Sequence, residues 1–206
     1  FTPINIMDGT SRRKLSKRKD PEADISFFLA TGYPAKAILE YLVGLANSSF
    51  EDWRKANPAK PIWDFPFSFE KWAKTRGALL DIQKLDDVSK DFIVSLSQGD
   101  YEKEMLAWAK DAAPYLSAGV AENPTYASKV FAVEREGEKK RKDLAKWSDA
   151  PEQYGYFFDD LFKEHFATRI DKELSDVDAS VVTNVCQAFL GNYDPKDDQA
   201  AWLEKC

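Results

Sequence analysis

The sequence predicts a mainly α fold that opens with a short N-terminal β-hairpin and loop and continues as two helical regions. Three observations carry that expectation. Apolar residues recur at three- and four-residue spacing through most of the 206 positions, the periodicity of helices with one buried face. Proline, glycine and capping residues stand where that periodicity starts and stops. Strand–helix alternation, a fixed-period repeat and low-complexity tracts are all absent from the sequence. With 44% apolar and 14% aromatic residues the chain has ample material for a core despite 31% charge.

The elements follow in order. Phe1, Ile4 and Ile6 stand among polar neighbours before Asp8-Gly9, a dipeptide suited to the positive φ of a tight hairpin turn. Asp20-Pro21-Glu22 supplies a capping carboxylate, a first-turn proline and a first-turn acid, so a helix carrying Ile25, Phe28 and Leu29 is expected up to Gly32. Pro34 starts a second helix with Ala37, Ile38, Tyr41, Leu42 and Leu45 on one face, and Ser48 and Glu51 have capping-box spacing for a short third. Pro58, Pro61 and Pro66 exclude a regular helix between 57 and 67. One or two turns over 68–74 come next, then helices over 87–97, 100–113, 124–136, 150–166 and 177–190, and an incomplete one from Pro195. The expected domains are 1–97 and 98–206. The chain starts at Phe1 rather than methionine and stops inside QAAWLEKC, which reads as an excised piece.

Charge and cysteine usage narrow the function classes. No stretch approaches the roughly 20 uncharged apolar residues of a bilayer span. Two cysteines, Cys186 and Cys206, cannot make a disulfide framework and fit a reducing cytosol. The net charge of −6 argues against a polyanion partner until its distribution is examined. Arg12, Arg13, Lys14, Lys17, Arg18 and Lys19 crowd residues 11–20, and Arg135, Lys139, Lys140, Arg141, Lys142 and Lys146 crowd 134–147. The remaining chain is strongly acidic, so positive charge is concentrated in two short segments. There is no Gly-rich phosphate loop, no G-x-S-x-G and no Cys/His zinc spacing, and the one histidine, His165, has no partner motif.

Lys14-Leu15-Ser16-Lys17-Arg18 offers ammonium and hydroxyl donors suited to a polyphosphate. The pentapeptide resembles the KMSKS signature of class I aminoacyl-tRNA synthetases, and its continuation RKDPEA at 18–23 resembles bacterial glutamyl-tRNA synthetases. GYP at 32–34, EYLVGLANSSFEDWRKANP at 40–58, LLDIQKLDDVSKDFI at 79–93 and EREGEKKRKDLAKWSD at 134–149 extend the resemblance over nearly the whole chain. The family's second signature, HIGH, has no counterpart, so the nucleotide-binding half is expected to lie outside this sequence.

The resemblance implies a KMSKS-like loop and stem-contact helical region over 1–97 and a C-terminally incomplete, helical anticodon-binding region over 98–206. It implies ATP, with Mg, as the activating nucleotide of the intact enzyme and no cofactor in this piece alone. Glutamate and tRNA are the implied partners of a monomeric, cytoplasmic enzyme with no membrane association. Lys17 is the implied catalytic residue and Lys14, Ser16 and Lys17 the implied ATP contacts. For tRNA the expected contacts are Arg12, Arg13, Lys139, Lys140, Arg141 and Lys142, because long cationic side chains grip a phosphate backbone. Among Trp147, Tyr154, Tyr156, Phe157 and Phe158 most are expected in the core, with individual rings free to stack on bases. Residues 10–19 are expected to be mobile without a nucleotide across the cleft. The alternative is a free-standing helical module that binds RNA or protein and has no catalytic step.

Overall fold

The computed structural model describes residues 4–70, 77–135, 137, 140–163 and 167–205. The mainly α expectation holds: a three-stranded sheet at the N-terminal end is followed by helices throughout. The chain divides into one compact unit, Phe1–Leu161, and a second, Phe162–Cys206.

In the first unit β1 (Ile4–Asp8) pairs antiparallel with β2 (Ser11–Lys14), Asp8 facing Ser11. The two loop residues are therefore Gly9 and Thr10, one position later than Asp8-Gly9. Gly9 takes φ +59°, which places glycine first in the turn as the type II′ class requires. The helix expected from Asp20 is instead a single 3₁₀ turn, Pro21–Ala23, and then α1 (Ile25–Ala30), capped by Asp24, whose side chain accepts from the Ser26 N–H at 2.9 Å. Helix α2 spans Ala35–Ala46, and α3 spans Phe50–Ala56 with Ser49 rather than Ser48 at its N-cap. In the proline-rich loop, Phe65 folds back edge-on against Phe50 at 5.1 Å. The turns expected over 68–74 fall largely outside the described residues.

The two-residue strand β3 (Ala78–Leu79) joins β1 in parallel and has no counterpart in the sequence reading. Helix α4 (Ile82–Ser95) starts well before the expected residue 87, because Asp81 caps it through the Lys84 N–H at 3.2 Å. Helix α5 spans Gln98–Ala112, α6 Pro114–Glu122 and α7 Pro124–Ala132. The single helix expected over 150–166 is broken into α8 (Ala150–Tyr154), a 3₁₀ turn at Gly155–Phe157 and the one-turn α9 (Asp159–Leu161). In the second unit α10 covers Ala167–Glu173, α11 Ala179–Asn192 and α12 Gln199–Lys205. Phe189, Tyr193 and Trp202 pack there as three rings 5.2 to 5.9 Å apart. Among the described residues no helix is long and apolar enough to cross a membrane.

Two clusters of buried side chains fill the first unit. One holds Phe28, Tyr33, Ile38, Tyr41, Leu80 and Leu85, with Ile4, Ile6 and Leu15 of the hairpin region packed against it. The other runs from Ile93 through α5, α6 and α7 to Trp147, Phe158 and Leu161. The division into compact units falls at 161. Helix α4 enters both clusters, and between them the fully buried Ser89 donates its hydroxyl to the Ala145 carbonyl.

Gly32 joins the clusters at the end of α1. Its φ is +91°, its carbonyl accepts from the Trp147 N–H at 2.8 Å, and the Trp108 indole N–H donates to the neighbouring Ala30 carbonyl at 3.3 Å. A Cβ here would lie 2.9 Å from the Ser148 nitrogen and 3.0 Å from the Trp147 nitrogen. Both are backbone atoms and cannot rotate away. Gly32→Ala should therefore destabilise the chain by about 2 kcal/mol or more in urea unfolding, combining a disallowed φ with a backbone clash. Gly9→Ala, with positive φ but open space around it, should cost less.

Candidate functional site

The KLSKR segment starts at Lys14, the last residue of β2, and leads to the turn that precedes α1. Its apolar residue, Leu15, packs against the first cluster, and the Leu15 N–H donates to the Ile4 carbonyl at 2.9 Å, extending the sheet contact by one step. At the far end Asp20, read from the sequence as a capping carboxylate, is buried, 7% exposed. Arg13 explains why. Its Nη1 and Nη2 reach Asp20 Oδ2 and Oδ1 at 2.7 Å each, a bidentate fork, while its Nε donates to Asp8 Oδ2 at 2.7 Å. The same Asp20 carboxylate accepts from the Ser16 N–H at 2.8 Å, and the Ser16 carbonyl accepts from the Asp20 N–H at 2.8 Å and the Lys19 N–H at 3.0 Å.

The Arg13 guanidinium is engaged by two carboxylates, Asp8 and Asp20. Within residues 10–19 the hairpin pairing and the hydrogen bonds between Ser16 and Asp20 tie the segment back on itself. The remaining cations of the segment, Arg12, Lys14, Lys17, Arg18 and Lys19, are exposed. Lys17 stands at the turn near Asp24, whose carboxyl is held below its usual range by the Ser26 amide and hydroxyl and, to a lesser degree, by the Lys17 ammonium. The Ser16 hydroxyl is half-buried and accepts weakly from the Arg18 N–H at 3.4 Å.

The second basic segment is largely paired with acids. Arg141 bridges Glu134 at 2.9 Å and Asp143 at 2.8 Å, Lys142 bridges Asp91, and Lys146 bridges Asp149 at 2.8 Å. Arg135 turns inward, its guanidinium 3.7 Å above the Tyr101 ring, with Nη2 donating to the Ile93 carbonyl at 3.2 Å. Lys140 is exposed and Lys139 lies outside the described residues. The Arg141 and Lys142 pairs are between exposed groups, so water and salt screen them and they can be exchanged for a phosphate. Arg13 differs because leaving its partner would strand a buried carboxylate.

Of the five rings singled out after residue 146, Trp147 and Phe158 are core, Phe157 is half-buried, and Tyr154 is half-buried with its hydroxyl 2.6 Å from that of Tyr101. Tyr156 faces solvent. His165 lies outside the described residues. The sequence reading missed Asp8 and Asp20 as partners of Arg13, since a contact across a hairpin and loop leaves no periodic signal. It also passed over Trp63, 80% exposed on the proline-rich loop.

Comparison with known proteins yields curated relatives named glutamate–tRNA ligase. That of Clostridium beijerinckii is 43% identical over 168 residues, covering 82% of this chain and 30% of the relative. The protein of Acetivibrio thermocellus is 39% identical over 97% of this chain and 35% of its own length, and that of Clostridium perfringens strain 13 is 36% identical over 97% and 36%. The chain thus spans about a third of the length of the curated relatives it matches. No family model and no solved structure matches.

The clamp has a titration signature. Hydrogen bonds from Arg13 and then from the Ser16 N–H hold the Asp20 carboxyl down from 3.8 to about 2. A carboxyl depressed on folding contributes stability that is complete above its unfolded value near 4 and is lost as pH falls through the folded value. Loop closure should therefore be unchanged from pH 7 down to about 4 and fail between about 4 and 2. An NMR titration of the Asp20 carboxyl carbon would read this directly, and a midpoint near 4 would contradict the clamp.

Proposed function

The chain belongs to the glutamate–tRNA ligase family, and from that premise we propose that it supplies the phosphate-facing loop and an RNA-facing surface of such a ligase. The proposed reaction activates glutamate with ATP as glutamyl-adenylate, releasing pyrophosphate, and then passes the glutamyl group to the terminal adenosine of its tRNA. The presentation of Lys17 carries this reading. It sits exposed on a loop tied down at both ends, at Leu15 by the core and at Asp20 by Arg13.

Lys17 is the proposed catalytic group. As the bond between the α-phosphorus and pyrophosphate breaks, negative charge grows on the departing phosphates. An ammonium that meets this charge mainly in the transition state lowers the barrier without over-stabilising bound ATP. Lys14 and Ser16 are the proposed accessory phosphate contacts. Among the described residues no group of His, Cys, Asp and Glu could hold a metal ion. What this segment brings to a magnesium-bound triphosphate is cationic charge. For tRNA we propose Arg12 together with Lys139, Lys140, Arg141 and Lys142, the last two by exchanging exposed carboxylate partners for phosphates. The proposed setting is a cytoplasmic monomer, and the regions 1–97 and 98–206 are the proposed stem-contact and anticodon-binding parts.

In the full-length ligase Lys17→Ala should lower the turnover of glutamate-dependent pyrophosphate exchange by about 100-fold while the Michaelis constant for ATP changes only a few-fold. A raised Michaelis constant with unchanged turnover would show ground-state binding alone. The chain by itself should show no such exchange, and activity above background would place the ATP site within these residues.

The RNA reading is tested by salt. The chain should bind tRNA despite its −6 charge, with affinity falling steeply as salt rises. Replacing Lys139, Lys140, Arg141 and Lys142 by Ala should reduce the slope of log affinity against log salt by about 0.9 for each phosphate that is no longer neutralised. An unchanged slope would make the cluster a solvated face.

A further inference from the structure

We propose that Arg13 is a positioning residue that shapes the KLSKR loop before any nucleotide arrives, a role that rests on the phosphate reading of Lys17. An unconstrained loop would carry an entropic cost. Lys17 can stabilise a transition state only if its ammonium is already near the phosphates, since ordering a flexible loop during the reaction subtracts from the gain. The structure supplies the ordering internally. One carboxylate, Asp20, is gripped by both arms of the Arg13 fork and also accepts from the Ser16 N–H inside the motif.

The clamp thereby joins three points of the chain: the strand end at Asp8, the strand β2 at Arg13, and the loop exit at Asp20. Arg13 Nη1 also lies 3.4 Å from the carbonyl of Lys14, the first residue of the motif. Both flanks of Lys17 are thus referred to a single guanidinium, which in turn is fixed to the sheet. A lysine cannot reproduce this, because one ammonium cannot present a planar fork to Asp20 while a second edge holds Asp8. The Arg13 charge is consumed in the clamp, and the exposed cations of the tip remain for the ligand.

Two measurements test the proposal. In the 206-residue chain, Arg13→Lys and Asp20→Asn should each reduce amide exchange protection at Ser16 and Asp20 by about 10-fold or more, while amides of α2 keep theirs and report an intact fold. In the full-length ligase each variant should lower turnover of pyrophosphate exchange by about 10-fold with little change in the Michaelis constant for ATP, and the double variant should be no worse than the worse single one. Unchanged protection at Ser16 overturns the clamp. Lost protection with full turnover overturns the positioning role, as does full additivity in the double variant. Should Lys17→Ala retain full turnover, the phosphate reading fails and the positioning role falls with it. That outcome is told apart because loop protection then still responds to Arg13→Lys.

Discussion

Helix α4 is the member on which the rest of the first unit depends. Leu85, Ser89 and Ile93 are spaced four residues apart, so they form one stripe along the helix, and all three are buried. Leu85 belongs to the cluster under the hairpin and Ile93 to the cluster of the later helices. A single rigid rod therefore has to satisfy two cores. Ser89 falls at the crossing point, where a larger apolar residue would belong to neither side. Its hydroxyl instead finds the Ala145 carbonyl, which brings the segment 144–149 against α4 and, through Trp147, against Gly32. The Tyr33 hydroxyl donates to Asp86 on the same helix, and burial followed by that carboxylate pushes the phenol well above its usual range. The KLSKR loop and the second basic segment are consequently held by one continuous set of contacts.

Both basic segments carry six cations along the chain, yet the fold treats them differently. In the first, one arginine is withdrawn to hold the loop and five cations stay exposed. In the second, Arg135 turns onto Tyr101, and Arg141, Lys142 and Lys146 meet carboxylates drawn from α4, from Glu134 just past α7 and from the rest of the segment itself to Asp149. An acidic chain supplies such partners freely. The Arg141 and Lys142 bridges are between exposed groups, screened by water and salt, and individually weak. The Arg13 bridge, with its buried carboxylate, is not of that kind.

The helices were legible because their signals are local: an apolar stripe, a proline at the first turn, an asparagine or aspartate at the cap. Asn123 illustrates this, with its side chain accepting from the Tyr126 N–H just where Asn123-Pro124 marked a start. The misreadings share the opposite property. Strand β3 is two residues long and exists only because β1 lies beside it. Asp20 has every local mark of a helix cap, yet Asp24 performs that task, since Arg13 competes for Asp20 from seven residues upstream. The stretch 150–166 keeps helical spacing but is bent at Gly155, a buried residue, as Phe158 and Leu161 turn into the core. The motif itself was readable as residue types, while its geometry was not.

That difference bears on how a signature of five residues can act at all. Lysines on a surface loop are abundant and mostly inert, because their ammonium groups sample a large volume and spend little time at any one point. What distinguishes Lys17 from the equally exposed Lys60 or Lys110 is the loop around it. Leu15 gives the loop an apolar foot in the core, the hairpin sets the direction of entry, and Asp20 closes the exit through a hydrogen bond to the motif's own backbone. Lys14, Lys17 and Arg18 are left to face solvent. The apolar second position and the residues flanking the motif therefore restrict where the charge of its lysines can go.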